Sequence, residues 1–571
     1  MAIERCHNLF THATGLPLVA MSLIDRLDGA SSKRRVKRFW LILVILIFLI
    51  LIILPSIYVL FEAVSQWGSI NEVVSDSGKM AVIWGAVGNS FSIAFIVTII
   101  DIIVGIPMAW LMVRKNFPGK RFVDTLIDMP LAFPTAALGF SVAIFWGIPQ
   151  GLDVPGLGIV VSPYVLVILL HLIFTYPYMV RTLSGILEQL DPNFETAGMT
   201  LGASRFTAVR TITLPLFRAG LVTGFILCFA RSLSETGGTY IALNLIGKQS
   251  AFFTGPTFIS DLKNQAGSEA AMPELILISV LLIVFALLML FVAKLMMDKV
   301  KIPWSKVWPK FERRISRGLA VKMRNGLSSF FLALFIIIPS FFIFSFLLIE
   351  GPLPDMAGLF KAMGISFLVA GAATMFDIIF GIPMALYIAR NKDKGLGKAL
   401  DMLVNVPLII PTTALGLSLY LFWSSASLPG LVLVILGHIS FTYPLVVRNV
   451  IGAVEEVDPS YEEIAKTLGA KPFQAFRKVL LPVIQSSVLA GAILAFTRSL
   501  GETGATIAID PTINTVPIYI VNLINKFRDL NNPDYVYQAA VASITLTAVC
   551  FVMMVAVKYV TRRKLGGRGH D

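Results

Sequence analysis

Residues 39–61 form an unbroken run of 23 without a charged side chain, and the cations Lys33, Arg34, Arg35, Lys37 and Arg38 stand directly before it. A hydrocarbon core about 30 Å thick is crossed by roughly 20 apolar residues in a helix. Inside lipid, a chain satisfies its backbone polar groups only as helix or as closed barrel. One such run would make an anchor. This chain has about twelve, near 39–61, 89–113, 124–147, 160–180, 215–238, 275–293, 326–349, 364–389, 401–423, 430–447, 482–508 and 539–557. The expected fold class is therefore an all-α polytopic membrane protein.

The basic flanks give these spans a direction, because Lys and Arg accumulate in cytoplasmic loops. Arg114, Lys115, Lys120 and Arg121 follow the second span, and Arg181 ends the fourth. Nine cations from Lys299 to Arg324 separate two six-span halves, and Lys558, Arg562, Arg563, Lys564 and Arg568 close the chain. The loop 148–159 has none. Both termini are thus expected in the cytoplasm. The expected division is a lead-in (1–38), a first transmembrane domain (39–297), a basic cytoplasmic linker (298–325), a second transmembrane domain (326–560) and a tail (561–571). The apolar run at 16–24 is followed by Asp25, Arg26 and Asp28 where a signal peptide would have a small-residue cleavage site.

Charged residues make up only 14% of the chain, against about 25% in soluble domains. The net charge of +13 reflects inner-loop cations, so no nucleic-acid partner is expected. Cys6, Cys228 and Cys550 lie far apart, and neither a disulfide framework nor a metal site follows from them.

The second half repeats the first. DIIVGIPMAW (101–110) answers DIIFGIPMAL (377–386), MPLAFPTAALG (129–139) answers VPLIIPTTALG (406–416), and FTYP occurs at 174–177 and 441–444. RSLSETGGT (231–239) answers RSLGETGAT (498–506). Six spans per half is an even number, so the halves enter the membrane in the same direction, as parallel repeats with their pathway at the shared interface.

The most polar part of the repeat is a loop. Residues 195–215 (ETAGMTLGASRFTAVRTITLP) and 462–482 (EEIAKTLGAKPFQAFRKVLLP) match at 10 of 21 positions. Asp191-Pro192 and Asp458-Pro459 suit a helix start, and Gly202 and Gly469 suit a left-handed helix end. Ser204 can cap a second short helix, and Pro215 and Pro482 can start the next span. Each copy therefore reads as a short helix, a turn and a second helix beneath the membrane. A plain solvated loop is the alternative, but it has no need to be copied so closely.

The glycine, nine residues, Ile or Val, one residue and Leu-Pro resemble the EAA loop of type I ABC importer permeases. The residues are Gly202, Ile212, Leu214 and Pro215, and Gly469, Val479, Leu481 and Pro482. The resemblance covers nearly the whole chain and implies two parallel six-helix repeats of that permease fold. It implies that the loops, including Glu195, Thr196, Ala197 and Gly198, and Glu462, Glu463 and Ala465, dock on two copies of a separate ATPase subunit. It also implies an extracytoplasmic solute-binding protein as partner. The first copy departs from the family, with Thr196-Ala197-Gly198 for Glu-Ala-Ala and Glu195 one place early; the second has Glu463-Ile464-Ala465. The chain has no GxxxxGK[ST] phosphate loop. ATP is thus expected on the partner, with no cofactor on this chain and no enzyme activity of its own.

Ionisable groups at membrane depth usually face a cavity or a partner. Asp101 and Asp377 occupy matching places in the second span of each half. Arg231 with Glu235, and Arg498 with Glu502, occupy matching places late in the fifth. These six are the candidate pathway residues. The arginine and glutamate share a helix face at i, i+4, so a self-satisfied pair is the competing reading. His171 and His438 read as structural hydrogen-bonding histidines or as pathway groups.

Cargo is less legible. RSLGETGAT resembles the corresponding segment of molybdate and sulfate permeases, while fused double permeases resemble the iron(III) and thiamine importers. Asp101 and Asp377 would suit a cation, unless Arg231 and Arg498 neutralise them. An ion-coupled secondary transporter would also use intramembrane charges, but has no use for two matched loops; a membrane assembly protein is a third class. If the loops differ in function, Gly469→Asp will lower uptake more than Gly202→Asp, and equal losses in vesicles would make the asymmetry silent.

Overall fold

The protein's structure, a computed structural model, describes residues 28–29, 31–147, 162–247, 252–265, 270–299, 309–316 and 318–566. The 16–24 run, Cys6, the 148–159 loop, linker positions 300–308 and 317, and residues 567–571 lie outside the described residues. The first half contains α1 (Arg34–Ser65), a short helix Trp67–Ser75, α2 (Ser77–Arg114), α3 (Lys120–Leu131), α4 (Thr135–Trp146) and α5 (Pro163–Gln189). It continues through α6 (Asn193–Thr200), α7 (Arg205–Leu216), α8 (Gly220–Leu233), α9 (Gly237–Leu245), α10 (Gly255–Asn264) and α11 (Met272–Lys299). A linker helix α12 (Pro309–Ile315) leads to α13 (Gly318–Leu348), α14 (Met356–Arg390), α15 (Gly395–Ile409), α16 (Thr412–Trp423) and α17 (Gly430–Glu456). The last elements are α18 (Ser460–Thr467), α19 (Pro472–Leu500), α20 (Gly504–Ile509), α21 (Val516–Leu530) and α22 (Asp534–Gly566).

Among the described residues nine helices are long and apolar enough to cross a membrane, and three bent pairs raise the number to twelve if each pair is one span. Two of the bent pairs lie in the spans expected at 124–147 and 401–423, where the paired prolines interrupt the helix. α3 and α4 meet at 104°, and α15 and α16 at 107°. Pro134 and Pro411 cause this: a proline disfavours helical backbone in the residue before it, and Phe133 and Ile410 are extended, with ψ of 136° and 130°. The fifth spans, expected at 215–238 and 482–508, stop short of those bounds. They end at Leu233 and Leu500, and a short half-helix follows each break. In the first half α7 and α8 are further bent by 70°, whereas α19 runs continuously from Pro472 to Leu500.

Proline also shapes the helices that stay whole. The turns Leu49–Ile53, Val209–Thr213, Leu332–Ile337 and Phe476–Leu480 are π-helical, and each ends two residues before a proline: Pro55, Pro215, Pro339 and Pro482. A proline ring clashes with the carbonyl four residues back, and widening the turn relieves the clash. Behind Pro55 and Pro339, the hydroxyls of Ser56 and Ser340 donate to the Ile52 and Ile336 carbonyls.

The two halves exchange their first helices. Val44, Phe48 and Ile52 of α1 are buried with Met384, Tyr443 and Val446 of the second half. Leu332, Ile336 and Ile343 of α13 are buried with Phe133, Phe140 and Tyr176 of the first half. The Tyr443 ring stacks on Phe48 at 5.5 Å, and Tyr176 packs on Phe331 at 5.7 Å. One serine locks each exchange. Ser418 Oγ accepts the Val59 N–H at 2.8 Å and donates to the Pro55 carbonyl at 2.6 Å. Ser141 Oγ does the same with Ile343 N–H (2.8 Å) and the Pro339 carbonyl (2.6 Å). Large side chains such as Phe61, Ile103, Phe291 and Met375 remain more than half exposed, the surface expected of helices facing lipid.

Replacing Ser141 or Ser418 by alanine removes the acceptor of a buried N–H, which costs about 1–3 kcal/mol. Each variant should unfold at a lower temperature in detergent, while alanine at exposed Ser75 should change nothing.

Candidate functional site

The two broken helices meet. Ser234–Thr236 in one half and Gly501–Thr503 in the other leave the helical path at matching points. A Cβ on Gly237 would lie 2.3 Å from Thr503 Oγ1, and one on Gly504 2.7 Å from Thr236 Oγ1. Thr135 Oγ1 donates to the Gly501 carbonyl at 3.2 Å, and Thr412 Oγ1 to the Ser234 carbonyl at 3.4 Å. The freed carbonyls are therefore satisfied from the opposite half, as lipid requires of any backbone that departs from helix.

Each break is braced from its own half as well. Glu235 Oε1 accepts the Gly238 N–H at 3.1 Å and Glu502 Oε1 the Ala505 N–H at 2.9 Å, so each glutamate caps the half-helix that follows. The same carboxylates pair with Arg231 (2.7 Å) and with Arg498. His171 spans the gap, with Nδ1 2.8 Å from Ser232 Oγ and Nε2 2.9 Å from Thr239 Oγ1. His438 repeats this with Ser499 (2.6 Å) and Thr506 (3.0 Å). Both histidines are buried, and both ring nitrogens are engaged.

Glutamate and arginine in each pair face different surroundings. Glu235 and Glu502 are 2% and 3% exposed, whereas the side chains of Arg231 and Arg498 are 14% and 21% exposed. Both arginines line one cleft, together with Phe133, Thr135, Phe174, Tyr178 and Thr497. No carboxylate is among its lining residues. The guanidinium groups lie over Phe174 and Phe441, 5.2 and 5.1 Å from the ring centroids, contacts that favour a cation.

Asp101 and Asp377 lie elsewhere. Each is fully buried inside its own half, beside Thr175 and Thr442, whose hydroxyls donate to the His171 and His438 carbonyls at 2.8 and 2.7 Å. Neither aspartate lines the cleft. The FTYP repeats account for much of this arrangement. Their phenylalanines support the arginines, their threonines flank the aspartates, and their tyrosines meet the exchanged helices. Repetition of the four residues was the available signal; what each touches was not written in it.

The polar loops form the second part of the site. Just past the ends of α6 and α18 stand Gly202 and Gly469, with φ of +93° and +91°, values that favour glycine. Ser204 Oγ accepts the Thr207 N–H at 3.2 Å. Asp458 Oδ1 accepts the Ser460 N–H at 2.8 Å, a bond that holds its carboxyl below the usual range. Gly198 packs closely on the second helix, where a Cβ would lie 2.6 Å from the end of the Ile212 side chain. Glu195, the early glutamate, matches Glu462 in position and in role. Glu195 is 3.5 Å from Arg114 and accepts from Thr213 at 3.1 Å, while Glu462 is 2.9 Å from Arg390. Arg114 and Arg390, at the ends of α2 and α14, also donate to the Leu190 and Val457 carbonyls. Thr196, Ala197 and Glu463 are exposed, as are Phe194, Leu201, Tyr461, Ile464 and Leu468, Leu201 by 90%. These apolar groups stand exposed on an otherwise polar loop.

The profile of the family described as "Binding-protein-dependent transport system inner membrane component" matches this chain twice, over residues 101–301 and 381–566. The sulfate transport system permease protein CysT of Salmonella typhimurium is 34% identical over 227 residues, 38% of this chain and 80% of the relative. The molybdenum transport system permease protein ModB of Escherichia coli is 33% identical over 210 residues, 36% of this chain and 90% of the relative.

α4 and α9 approach backbone to backbone, and a Cβ on Gly139 would lie 2.1 Å from the Gly238 carbonyl oxygen, against 2.8 Å from Gly416 to the Ala505 oxygen. Overpacking of this kind costs about 1–3 kcal/mol or more. Gly139→Ala should therefore lower the unfolding temperature further than Gly416→Ala, measured on the purified protein.

Proposed function

Because the chain belongs to the family of binding-protein-dependent transport system inner membrane components, as a multi-pass ABC importer permease with both membrane halves in one polypeptide, we propose that its cargo is an oxyanion of the sulfate or molybdate kind. One observation carries the choice: an arginine from each half lines the same cleft, and no carboxylate is among the residues that line it. A tetrahedral oxyanion can accept charge-assisted hydrogen bonds from both guanidinium groups. Glu235 and Glu502, tied to helix starts behind the cleft, hold the arginines without competing for the anion. The names of the relatives support the same class. Asp101 and Asp377 would have suited a cation; enclosed in the helix packing of each half, they stand apart from the cargo's route in this reading.

An extracytoplasmic binding protein delivers the anion, and two copies of a separate ATPase dock on the loops around α6 and α18 in the cytoplasm, where both termini also lie. ATP stays on that subunit, and this chain needs no cofactor. Closure of the ATPases draws the two loops together. The halves then rock about their shared axis, and the contacts between 234–238 and 501–505 open and close the route.

In proteoliposomes holding the full complex, sulfate or molybdate uptake should require ATP and persist without an ion gradient. Arg231→Gln or Arg498→Gln should each slow it roughly tenfold or more, since a hydrogen bond to a charged group is worth about 1.5–3 kcal/mol and each 1.4 kcal/mol is tenfold. The lysine variants should retain more. Uptake driven by an ion gradient alone would favour secondary transport, and uptake of iron(III) or thiamine but neither anion would overturn the cargo.

A further inference from the structure

Beneath each polar loop lies a contact that the permease family assignment does not explain. Glu312, on α12 just before the first helix of the second half, is 3% exposed. It pairs with Arg210 of the first loop at 2.9 Å and accepts from Thr207 Oγ1 at 2.5 Å. Ser316 Oγ accepts the Phe206 N–H, in the first turn of α7, at 3.0 Å. The second loop is met in the same way. Asp28, just before the first helix of the first half, lies 3.9 Å from Arg477, and Ser31 Oγ accepts the Phe473 N–H at 3.2 Å. Arg210 and Phe206 stand 267 positions before Arg477 and Phe473, the offset of the loop repeat itself. In both cases an acid takes the arginine of the second arm, and a serine takes an N–H at its start.

The pairing is crossed. Each loop is gripped by the segment that leads into the opposite half's first helix, and that helix is already buried in the half that owns the loop. We propose that the two grips are clasps that make each polar loop, its own half and the exchanged helix one mechanical body, with Glu312 and Asp28 as positioning residues for the ATP-driven step. This rests on the docking role proposed above for the loops.

The clasps should not be equivalent. α19 carries a push on the second loop straight into the membrane, because it is unbroken from Pro472 to Leu500. The first loop's arm bends by 70° between Leu216 and Gly220, so part of a push there is lost in flexing. That arm has the closer clasp, 2.9 Å against 3.9 Å. The Glu312 clasp thus stiffens the arm that needs it.

Glu312→Gln and Asp28→Asn are to be compared with wild type in the full complex with ATPase and binding protein, using radiolabelled sulfate and molybdate as probes. Amide hydrogen exchange should quicken at 205–212 in Glu312→Gln and at 472–480 in Asp28→Asn, each loop responding to the other half's lead-in. ATP hydrolysed per anion moved should rise several-fold in Glu312→Gln and less than twofold in Asp28→Asn, with the amount of bound ATPase unchanged. Unchanged exchange in both variants, or an unchanged ATP-to-anion ratio in Glu312→Gln, overturns the proposal. If wild type moves neither anion, the cargo reading fails by itself, and the crossed exchange pattern alone decides for or against the clasps.

Discussion

Lipid offers no hydrogen bonds, so every place where the chain leaves the helix must be answered by protein. The two breaks at 234–236 and 501–503 carry most of that burden. Their carbonyls are met by threonines of the opposite half, and their following N–H groups by Glu235 and Glu502. The glutamates need cations, which places Arg231 and Arg498. Histidines bridge the gaps, and glycines let the backbones touch. The arginines reach the cleft because the chemistry of the break has put them there; one arrangement both pairs them and turns them toward the cleft.

The exchange of first helices follows a related rule. Ser141 and Ser418 each engage both an N–H and a carbonyl of a helix from the other half. Such a hydroxyl cannot be withdrawn without leaving a buried group unpaired. The halves are held together at the edges by these locks and at the centre by small residues in contact.

Much of this was legible in the sequence. Span number, the repeat, the paired loops and the left-handed glycines follow from apolar length, cation placement and residue type, all local properties. The 104° and 107° bends were not, because Pro134 and Pro411 announce an interruption without its angle. Arg231 and Glu235 could be paired from their spacing, yet which of them faces open space depends on the partner helix. Asp101 and Asp377 show the same limit from the other side. A carboxylate at membrane depth signals cost, and burial within one half was visible only once α2 and α5 were packed. Glu195 is the instructive case. Against the family pattern it stands one place early, but beside Arg114 it matches Glu462.

A final consequence comes from the 70° bend that only the first half has. An assembly of two identical chains feels every substitution twice, once on each side of its axis, and keeps only changes that both sides tolerate. Here each position is inherited singly. One arm can kink while its twin stays straight, and one loop can lose a carboxylate where the other retains it. The duplication thus frees each half to differ, and the two arms beneath the membrane are no longer copies in shape.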